Sequence, residues 1–421
     1  MSRWLYTLLL YLLVPVVLLR LQWRGRANPD YRRRWAERFG WFTAPPLRQP
    51  IWVHAVSVGE ALAAAPLIEA LLARYPERSL VVTSTTPTGS GRVKALFGGR
   101  VFHVYLPYDL PGAVRRFLDR TSPSVGIIME TELWPNLFHH CARRRIPLAI
   151  VNARLSPGSA RGYARVAPLT RSTLAAVRLI AAQGEGDADR FRALGARDDQ
   201  LQVMGNLKFD QTLPADLAAQ ATALRTQWGI ERPVWIAAST HEGEDAQVLD
   251  AFARIRQALP TSLLILVPRH QERFDRVAAL AQGRDFRMVR RSSGEQASAD
   301  TELFLGDTLG ELPLFYAAAD VAFVGGSLVP VGGHNMLEPA ALGVPVLTGP
   351  QRFNFSDISE ALLAAGAALE VTDAETLATA VIHWLGDAEA RQRAGEAGRQ
   401  LVADNRGALA RLLEQIASYL D

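Results

Sequence analysis

From residue 50 onward, short apolar runs alternate with longer stretches that have a helical pattern. The first series of apolar runs lies at 51–57, 79–85, 101–107, 125–130, 147–153 and 178–183. A second series lies at 234–240, 262–269, 286–292, 301–307, 321–327 and 345–350. Short apolar runs separated by helical stretches are typical of the buried strands of parallel sheets. The pattern therefore predicts an α/β fold with two doubly wound, Rossmann-like domains.

The domain boundaries follow from the two series and from the polar, proline-containing stretch between them. We expect two such domains to face each other across a cleft, with ligands bound at the carboxyl ends of the strands. The prediction comprises an anchor at 1–22, an N-terminal domain at 23–206, a linker at 207–232, a C-terminal domain at 233–400 and a C-terminal helix at 401–421 that could pack back on the N-terminal domain.

The N-terminus carries an apolar run at residues 4–19, with no charge between Arg3 and Arg20. As a helix this run is about 24 Å long at ~1.5 Å per residue, and a full membrane span needs ~17–25 residues. It is therefore a short span or a shallow anchor. A cleaved signal peptide is disfavoured because arginines, and no small-residue cleavage site, follow the run. These arginines predict a cytoplasmic location for everything after residue 20, and they would attract anionic lipid headgroups.

Composition narrows the classes of protein to which the chain can belong. The chain has 421 residues, 49% of them hydrophobic, which suffices for two domains with sizeable cores. The net charge of +4 is uneven, because the first fifty residues hold nine arginines. Nucleic acid is not expected as a partner, since no basic stripe with interleaved aromatic residues follows. The lone Cys141 excludes a disulfide framework and a cysteine-based metal site. No cluster has metal-ligand spacing, and we expect no metal and no cofactor.

Carboxylates mark two strand ends of the first series. Glu60 follows the run WVHAVSVG, in which Ser57 and Gly59 precede it, at the start of a helix. It could complement the helix dipole or act as a general base. Glu130 and Glu132 end the apolar run at 125–130, where two carboxylates are costly unless they are paired, for example with Arg154, or used.

Two further motifs complete the first series. TSTTPTGSGR at 83–92, with Thr86 and Ser90, resembles an oxygen-binding loop, although an ordinary capped turn is equally compatible. GNLKFD at 205–210 places Lys208 at the domain junction, where it either stabilises an anion or is a solvated linker lysine.

The second series carries residues suited to a phosphate. ASTHEGE at 238–244 offers Ser239, Thr240 and a helix N-terminus. VPRH at 267–270 ends in Arg269, which suits phosphate, and in His270, which could instead be a polar cap. The segment 306–350 is the most informative, because its glycines would let the backbone approach a ligand closely. Its candidate residues are Gly333, His334, Asn335 for phosphate and Glu338 for ribose hydroxyls.

Taken in order, these motifs resemble a known family. VSVGE, TSTTPTGS, ETELWPN, NARLS, GNLKFD, ASTHEGE, VPRH and GGHNMLEP are together similar to the transferases of 3-deoxy-D-manno-octulosonic acid (Kdo) in lipopolysaccharide assembly of Gram-negative bacteria. The resemblance covers nearly the whole chain. It implies a GT-B glycosyltransferase fold and transfer of Kdo from CMP-Kdo to a lipid A precursor, lipid IVA. It also implies a signal-anchor and a location at the cytoplasmic side of the inner membrane.

The resemblance also implies residue roles. Glu60 matches the family's general base, and Glu130 and Lys208 match residues that support the transition state. The resemblance further implies that the reaction is an inverting direct displacement. The positions that match CMP-binding residues are Pro268, Arg269, Leu309, Gly310, Glu311, Asn335, Met336, Leu337 and Glu338.

Three alternatives stay open at this point. One is another GT-B transferase that uses a UDP-sugar on a membrane lipid. A second is a sugar-nucleotide epimerase of the same fold, which would not need a membrane anchor. The third is a non-catalytic, membrane-tethered protein that binds lipid A or CMP. The residue at position 60 distinguishes the last, because a sensor tolerates Gln there and a base does not.

Overall fold

The fold is taken from a computed structural model that describes residues 1–26, 28–210, 214 and 216–420. The chain divides into two compact units. The first unit comprises Met1–Asp210 together with the C-terminal residues from Arg406, and the second comprises the residues between them, up to Asn405.

The first unit is built on a parallel seven-stranded sheet with the order β3-β2-β1-β4-β5-β6-β7. The central strands are buried on both faces, which explains their unbroken apolar runs. The strands are β1 Ile51–His54, β2 Leu80–Ser84, β3 Phe102–Tyr105, β4 Val125–Met129, β5 Leu148–Ala153, β6 Leu179–Ala182 and β7 Leu201–Val203.

Helices connect these strands and cover the sheet. They are α1 Arg3–Arg24, α2 Val58–Arg74, α3 Pro87–Phe97, α4 Pro111–Thr121, α5 Pro135–Arg143, α6 Pro157–Ala164, α7 Ala167–Leu174 and α8 Glu185–Ala193. Strand order reverses at β1, whose neighbours are β2 and β4. In doubly wound sheets this switch point is where ligands bind.

The second unit has its own parallel seven-stranded sheet, with the order β10-β11-β9-β8-β12-β13-β14. Its switch point lies at β8, between β9 and β12. The strands are β8 Val234–Thr240, β9 Leu263–Pro268, β10 Met288–Arg290, β11 Leu303–Leu305, β12 Val321–Val324, β13 Val346–Thr348 and β14 Ala368–Glu370. The helices are α9 Leu217–Trp228, α10 Glu244–Ala258, α11 Phe274–Gln282, α12 Leu312–Ala317, α13 Leu337–Ala341, α14 Ser356–Ala364, α15 Ala374–Gly386 and α16 Ala388–Asp404.

The stretch predicted as a linker, 207–232, is largely part of the two units. Leu207 belongs to the core of the first unit, and α9 packs Leu217 and Trp228 into the core of the second. The polar composition of this stretch suggested a linker because α9 buries only one of its sides. Residues 211–213 and 215 of the predicted linker lie outside the described residues.

The C-terminal segment returns to the first unit. The predicted helix at 401–421 is divided, since α16 ends at Asp404 and α17 spans Ala408–Ala417 after Gly407, which has a φ of 92°. Leu412 and Ile416 of α17 pack into the same core as the central strands of the first sheet. The carboxylate of Asp210 accepts the Gly407 N–H at 2.6 Å and the Leu409 N–H at 2.7 Å, which fixes the start of this helix.

Helix α1, at Arg3–Arg24, lies where the sequence predicts an anchor at 1–22. It is long and apolar enough to cross a membrane by length and composition. Ser2 caps its first turn through the Leu5 N–H at 3.3 Å. Pro15 lies inside the helix.

Candidate active site

Glu60 lies in the first turn of α2, directly after β1 at the switch point. Its Oε2 accepts the Val56 N–H at 2.7 Å, and its Oε1 accepts the Ser57 hydroxyl at 3.2 Å. Ser57 in turn caps the helix by accepting the Glu60 N–H at 3.3 Å. A Cβ on Gly59 would meet only Ser57 Oγ, at 3.9 Å, so packing does not require glycine there. Glu60 therefore stabilises its own turn and still presents a half-buried carboxylate.

Three carboxylates gather at this end of the sheet. Burial raises the pKa of Glu60 from 4.5 to about 7, and the charges of Glu130 and Glu132 add to the shift. Burial likewise raises the pKa of Glu132 to about 7, with a further contribution from Glu130. Glu130 follows β4, the neighbour of β1, and adopts a φ of 56°. A non-glycine residue at positive φ is unusual and points to a constrained site.

Lys208 supplies a positive charge beside this group. Its Nζ lies 3.9 Å from Glu130 Oε1, and its side chain is about one quarter exposed, at 23%. The solvated linker lysine considered above does not fit this position.

A network of amides holds the turn that carries Lys208. Asn206 Oδ1 accepts the Lys208 N–H at 3.0 Å, and Asn152 Oδ1 accepts the Leu207 N–H at 3.0 Å. Asn152 is buried and has a φ of 53°. Sequence reasoning missed this role of Asn152, although the motif NARLS contains it.

The motif TSTTPTGSGR supports the Glu60 turn from the side. The Thr86 hydroxyl donates to the Val56 carbonyl at 3.2 Å and accepts the Gly89 N–H at 3.0 Å. The Ser90 hydroxyl accepts a hydrogen bond from Arg34 at 2.9 Å. Because both hydroxyls have partners inside the protein, the capped turn fits this motif better than an oxygen-binding loop.

The second unit also has a carboxylate at its switch point, and it is fully buried. Glu244 accepts N–H groups from His241 at 2.9 Å, Gly326 at 2.7 Å, Ser327 at 3.0 Å and Leu328 at 2.9 Å. These are the kind of amides that bind phosphate elsewhere. Glu244 occupies these four amides, so they are not available to a phosphate. The N–H groups at the start of α10 are different groups, and their role toward a phosphate stays a prediction.

Ser239 and Thr240 of ASTHEGE are also buried. The Thr240 hydroxyl donates to Asp245 at 2.7 Å, and the Thr240 carbonyl accepts the Arg269 N–H at 3.0 Å. Ser239 has a φ of 57°. The buried Thr240 hydroxyl therefore shapes the strand end and is not presented to a ligand.

Two glycines after β12 are required by packing. A Cβ on Gly325 would lie 2.8 Å from the Ser239 carbonyl oxygen, and one on Gly326 would lie 3.0 Å from the His334 ring. Gly333 has a φ of 77° and donates its N–H to the Gly326 carbonyl at 2.7 Å. Close approach of backbone to a ligand is therefore not the only reason for this glycine-rich sequence.

Arg269 follows β9 and is exposed. Among the described residues no carboxylate forms an ion pair with it. Its charge acts on three neighbours. Burial lowers the pKa of His334 to about 3, and the charge of Arg269 adds to this shift. Burial also lowers the pKa of His241 with a contribution from Arg269, and the charge of Arg269 opposes the rise in the pKa of Glu338 that burial causes. An exposed arginine in this position can accept an incoming phosphate or carboxylate.

Three histidines lie near Arg269. The Nε2 atoms of His241 and His334 are 2.8 Å apart, and the two rings are stacked. The His270 ring packs edge-on against His241, with centroids 5.3 Å apart. A hydrogen bond between two Nε2 atoms requires one of them to be unprotonated. Sequence reasoning missed His241.

The residues 335–338 form a compact turn at the start of α13. Asn335 Nδ2 donates to Glu338 Oε1 at 3.0 Å, and its Oδ1 accepts the Leu337 N–H at 3.1 Å. Met336 and Leu337 are buried, so their contribution to a ligand would come from the backbone. Among the described residues, the second carboxylate oxygen of Glu338 has no hydrogen-bond partner.

The other expected nucleotide-binding positions differ in exposure. Pro268 ends β9 and is buried, whereas Leu309 is 67% exposed. Gly310 has a φ of 85°. The Glu311 carboxylate is held by Arg291, whose Nη2 lies 2.6 Å from Oε1, and by the Thr308 hydroxyl. The Glu311 side chain is therefore already paired, whereas Leu309 in the same loop is open to solvent.

A search of the described residues finds no group of three His, Cys, Asp or Glu side chains arranged to hold a metal ion. The first unit thus combines half-buried carboxylates and a lysine, which suits proton removal beside a developing charge. The second unit combines an exposed arginine, a histidine cluster and a buried acid at a helix start, which suits a nucleotide.

Comparison with known proteins shows which protein families the two units match. A family model described as "3-Deoxy-D-manno-octulosonic-acid transferase (kdotransferase)" matches residues 33–211, and one described as "Glycosyl transferases group 1" matches residues 240–401. The chain is 45% identical to the 3-deoxy-D-manno-octulosonic acid transferase of Haemophilus influenzae, over 100% of this chain and 99% of the relative. It is 41% identical to the protein of that name from Bordetella pertussis, over 100% of both.

A solved structure supports the fold. The UDP-GlcNAc 2-epimerase from Neisseria meningitidis bound to UDP-GlcNAc has a TM-score of 0.57 and covers 88% of this chain and 100% of its own. At 13% identity this likeness concerns the fold alone, which is GT-B.

Proposed function

The chain belongs to the 3-deoxy-D-manno-octulosonic acid transferase family, and we propose that it moves Kdo from CMP-Kdo to lipid IVA with Glu60 as the general base. It is a glycosyltransferase of lipopolysaccharide synthesis. Beyond family membership, we propose the acceptor, the roles of individual residues and a location at the cytoplasmic side of the inner membrane.

The proposal rests on the raised pKa of the Glu60 carboxyl. A general base works best when its pKa is near the operating pH, and burial brings the pKa of Glu60 to about 7. At neutral pH a large fraction of the carboxylate is therefore ready to accept the proton of a sugar hydroxyl. We assign acceptor activation to the first unit for this reason.

As CMP departs, the anomeric carbon becomes oxocarbenium-like through donation from the ring oxygen, and the lack of an electron-withdrawing hydroxyl next to it in Kdo favours this state. In an inverting displacement the nucleophile attacks the face opposite to the leaving group. We assign Glu130 and Lys208 to stabilising this transition state. Their separation of 3.9 Å allows Lys208 to reorient toward a substrate anion without losing all contact with Glu130.

The second unit is assigned the nucleotide. Arg269 would neutralise the phosphate of CMP, and Glu338 would accept a ribose hydroxyl while Asn335 holds its other oxygen. The backbone of Leu309, Gly310 and Glu311 would contact the base. Basic residues after α1 would contact anionic lipids of the inner membrane.

The proposal is tested by mass spectrometry of the lipid product. Purified protein is incubated with lipid IVA and with CMP-Kdo generated in situ, and Glu60→Gln and Glu69→Gln are run in parallel. Glu69 lies in the same helix, is exposed and pairs with Arg100, so it is a matched control. We expect Kdo mass gains with wild type and Glu69→Gln and none with Glu60→Gln. A gain with a UDP-sugar but not with CMP-Kdo would refute the donor assignment, and no consumption of any donor would favour the binding-protein alternative.

A further inference from the structure

One side of helix α1 is less exposed than the other. Its less exposed residues recur at helical spacing and form one stripe. This inward stripe consists of Arg3, Tyr6, Thr7, Leu10, Val14, Val17, Leu18, Leu21 and Gly25. A helix that crosses a bilayer alone would have no such stripe.

Direct hydrogen bonds hold the start of the helix to α5 of the first unit. Near the start, Thr7 exchanges hydrogen bonds of 3.0 and 3.1 Å with Asn136, and Arg3 donates to the same side chain at 3.0 Å. Asn136 is fully buried in α5 and also donates to the Asp109 carbonyl at 2.7 Å. Moving the start of α1 away would leave Asn136 without these partners.

The middle and the end of α1 have fewer direct contacts. Tyr11, Val14 and Pro15 of α1 line an open cavity of about 360 Å³ together with Leu110 and Ala113 of the α4 region, so the middle of the helix lies beside α4. At the end, the turn that follows the helix folds back on it, because Arg32 donates to the Gln22 carbonyl at 3.2 Å and the Arg24 guanidinium lies over the Tyr31 ring at 5.1 Å. The helix is therefore fixed to the first unit at its start and lies beside that unit in its middle.

The opposite side of the helix is apolar and exposed. This outward face consists of Trp4, Leu5, Leu8, Leu9, Leu12, Leu13, Val16, Leu19 and Trp23, each at least 42% exposed. A tryptophan stands near each end. Exposed arginines follow at one end, namely Arg20, Arg24 and Arg26. Apolar residues bordered by tryptophan and arginine match the boundary between acyl chains and anionic headgroups.

We propose that α1 lies in the plane of the membrane, with its outward face in the headgroup and acyl boundary of one leaflet, and does not span the bilayer. The partner is a bilayer surface that contains anionic lipids. The N-terminus then stays on the same side as both units. This inference rests on the proposed location at the inner membrane and adds the way in which the chain binds it.

Thiol labelling of whole cells tests the inference. Ser2→Cys and, separately, Ser418→Cys are made in the full chain, and a membrane-impermeant maleimide is added after the outer membrane is opened. Ser418 is exposed on the first unit and serves as the cytoplasmic reference. Cys141 is fully buried and should stay unlabelled in the folded protein. We expect membrane-bound protein in which both introduced thiols react only after the inner membrane is lysed.

A spanning helix would instead place residue 2 outside, and Ser2→Cys would react before lysis, which overturns the inference. Protein found only in the soluble fraction would also overturn it. Spin labels at Leu5, Leu12 and Leu19 in anionic vesicles give a second readout. An in-plane helix predicts similar shallow depths, whereas a spanning helix separates the first and last labels by about 21 Å at ~1.5 Å per residue. Transfer activity measured on the same membranes reports separately on the proposed function.

Discussion

Replacing Glu60 by Gln should slow transfer by about 10²–10⁴-fold and at the same time stabilise the first unit above neutral pH. Gln can keep both local contacts, because its carbonyl oxygen can accept the Val56 N–H and its amide can donate to Ser57 Oγ. The N-cap bond from the Glu60 N–H to Ser57 does not involve the side chain at position 60. The substitution thus removes the titrating proton and leaves the turn in place.

The size of the stability change follows from the pKa of Glu60. Burial raises this pKa from 4.5 to about 7, so the folded protein binds the proton more tightly than the unfolded chain. Wild type therefore loses stability as pH rises through this range. At about 1.4 kcal/mol per pKa unit the loss is about 3 kcal/mol, and partial exposure reduces it to on the order of 1–2 kcal/mol. Gln has no such loss, so Glu60→Gln should exceed wild type by this amount at pH 8 and match it at pH 4.

Calorimetry at the two pH values and transfer rates between them provide the measurements. Loss of a general base lowers kcat by about 10²–10⁴-fold. The melting temperature at pH 8 should rise by a few degrees, since ~1 kcal/mol corresponds to about 2–4 °C for a unit of this size. If Glu60→Gln were less stable than wild type at pH 8 and lost activity in proportion, Glu60 would be a structural cap and the reasoning would be refuted.

Three further predictions concern neighbouring residues. Glu132→Gln removes a charge that raises the pKa of Glu60, so the acidic limb of the kcat profile should move to lower pH; an unmoved limb would contradict the coupling. Arg269→Gln should weaken CMP binding by about 10–150-fold in calorimetric titration, as expected for loss of a charged hydrogen bond of ~1.5–3 kcal/mol, whereas unchanged affinity would remove Arg269 from the nucleotide site. Gly89→Ala should destabilise by about 1–3 kcal/mol, because a Cβ there lies 3.1 Å from the Val56 carbonyl oxygen. Its control Gly91→Ala, in the same helix with no atom within 4 Å, should be neutral or stabilising by up to ~1 kcal/mol, and equal thermal denaturation of the two variants would contradict the packing argument.

The fold could be predicted from the sequence where strands are buried on both faces. All the apolar runs listed for the two series contain a strand. For the central strands the reason is that burial on both sides demands an unbroken apolar sequence. The strands β7 and β14 were missed. Each has three residues at a sheet edge, and Gln202 and Glu370 interrupt the apolar pattern because the edge is partly exposed.

The candidate site was predictable only as a set of strand ends. Glu60, Glu130 and Lys208 gather in the first unit as expected from their places after β1, β4 and β7. The role of Glu244 was not predictable, because nothing in ASTHEGE shows that amides from residues 326–328 converge on it. The packing requirement for glycine at position 325 was not predictable for a similar reason, since the contact of Gly325 with Ser239 exists only in the folded sheet.

The pH dependence of one transfer event tests the central claim most directly. With CMP-Kdo and lipid IVA both saturating, the first turnover is followed by quenched-flow mass spectrometry in wild type and Glu60→Gln from pH 5.5 to 9. If Glu60 is the general base, the wild-type rate rises through an apparent pKa near 7. The residual rate of Glu60→Gln then shows no such rise, although the variant still binds CMP. A Glu60→Gln enzyme that transfers Kdo at the wild-type rate with the same pH profile would contradict this role of Glu60.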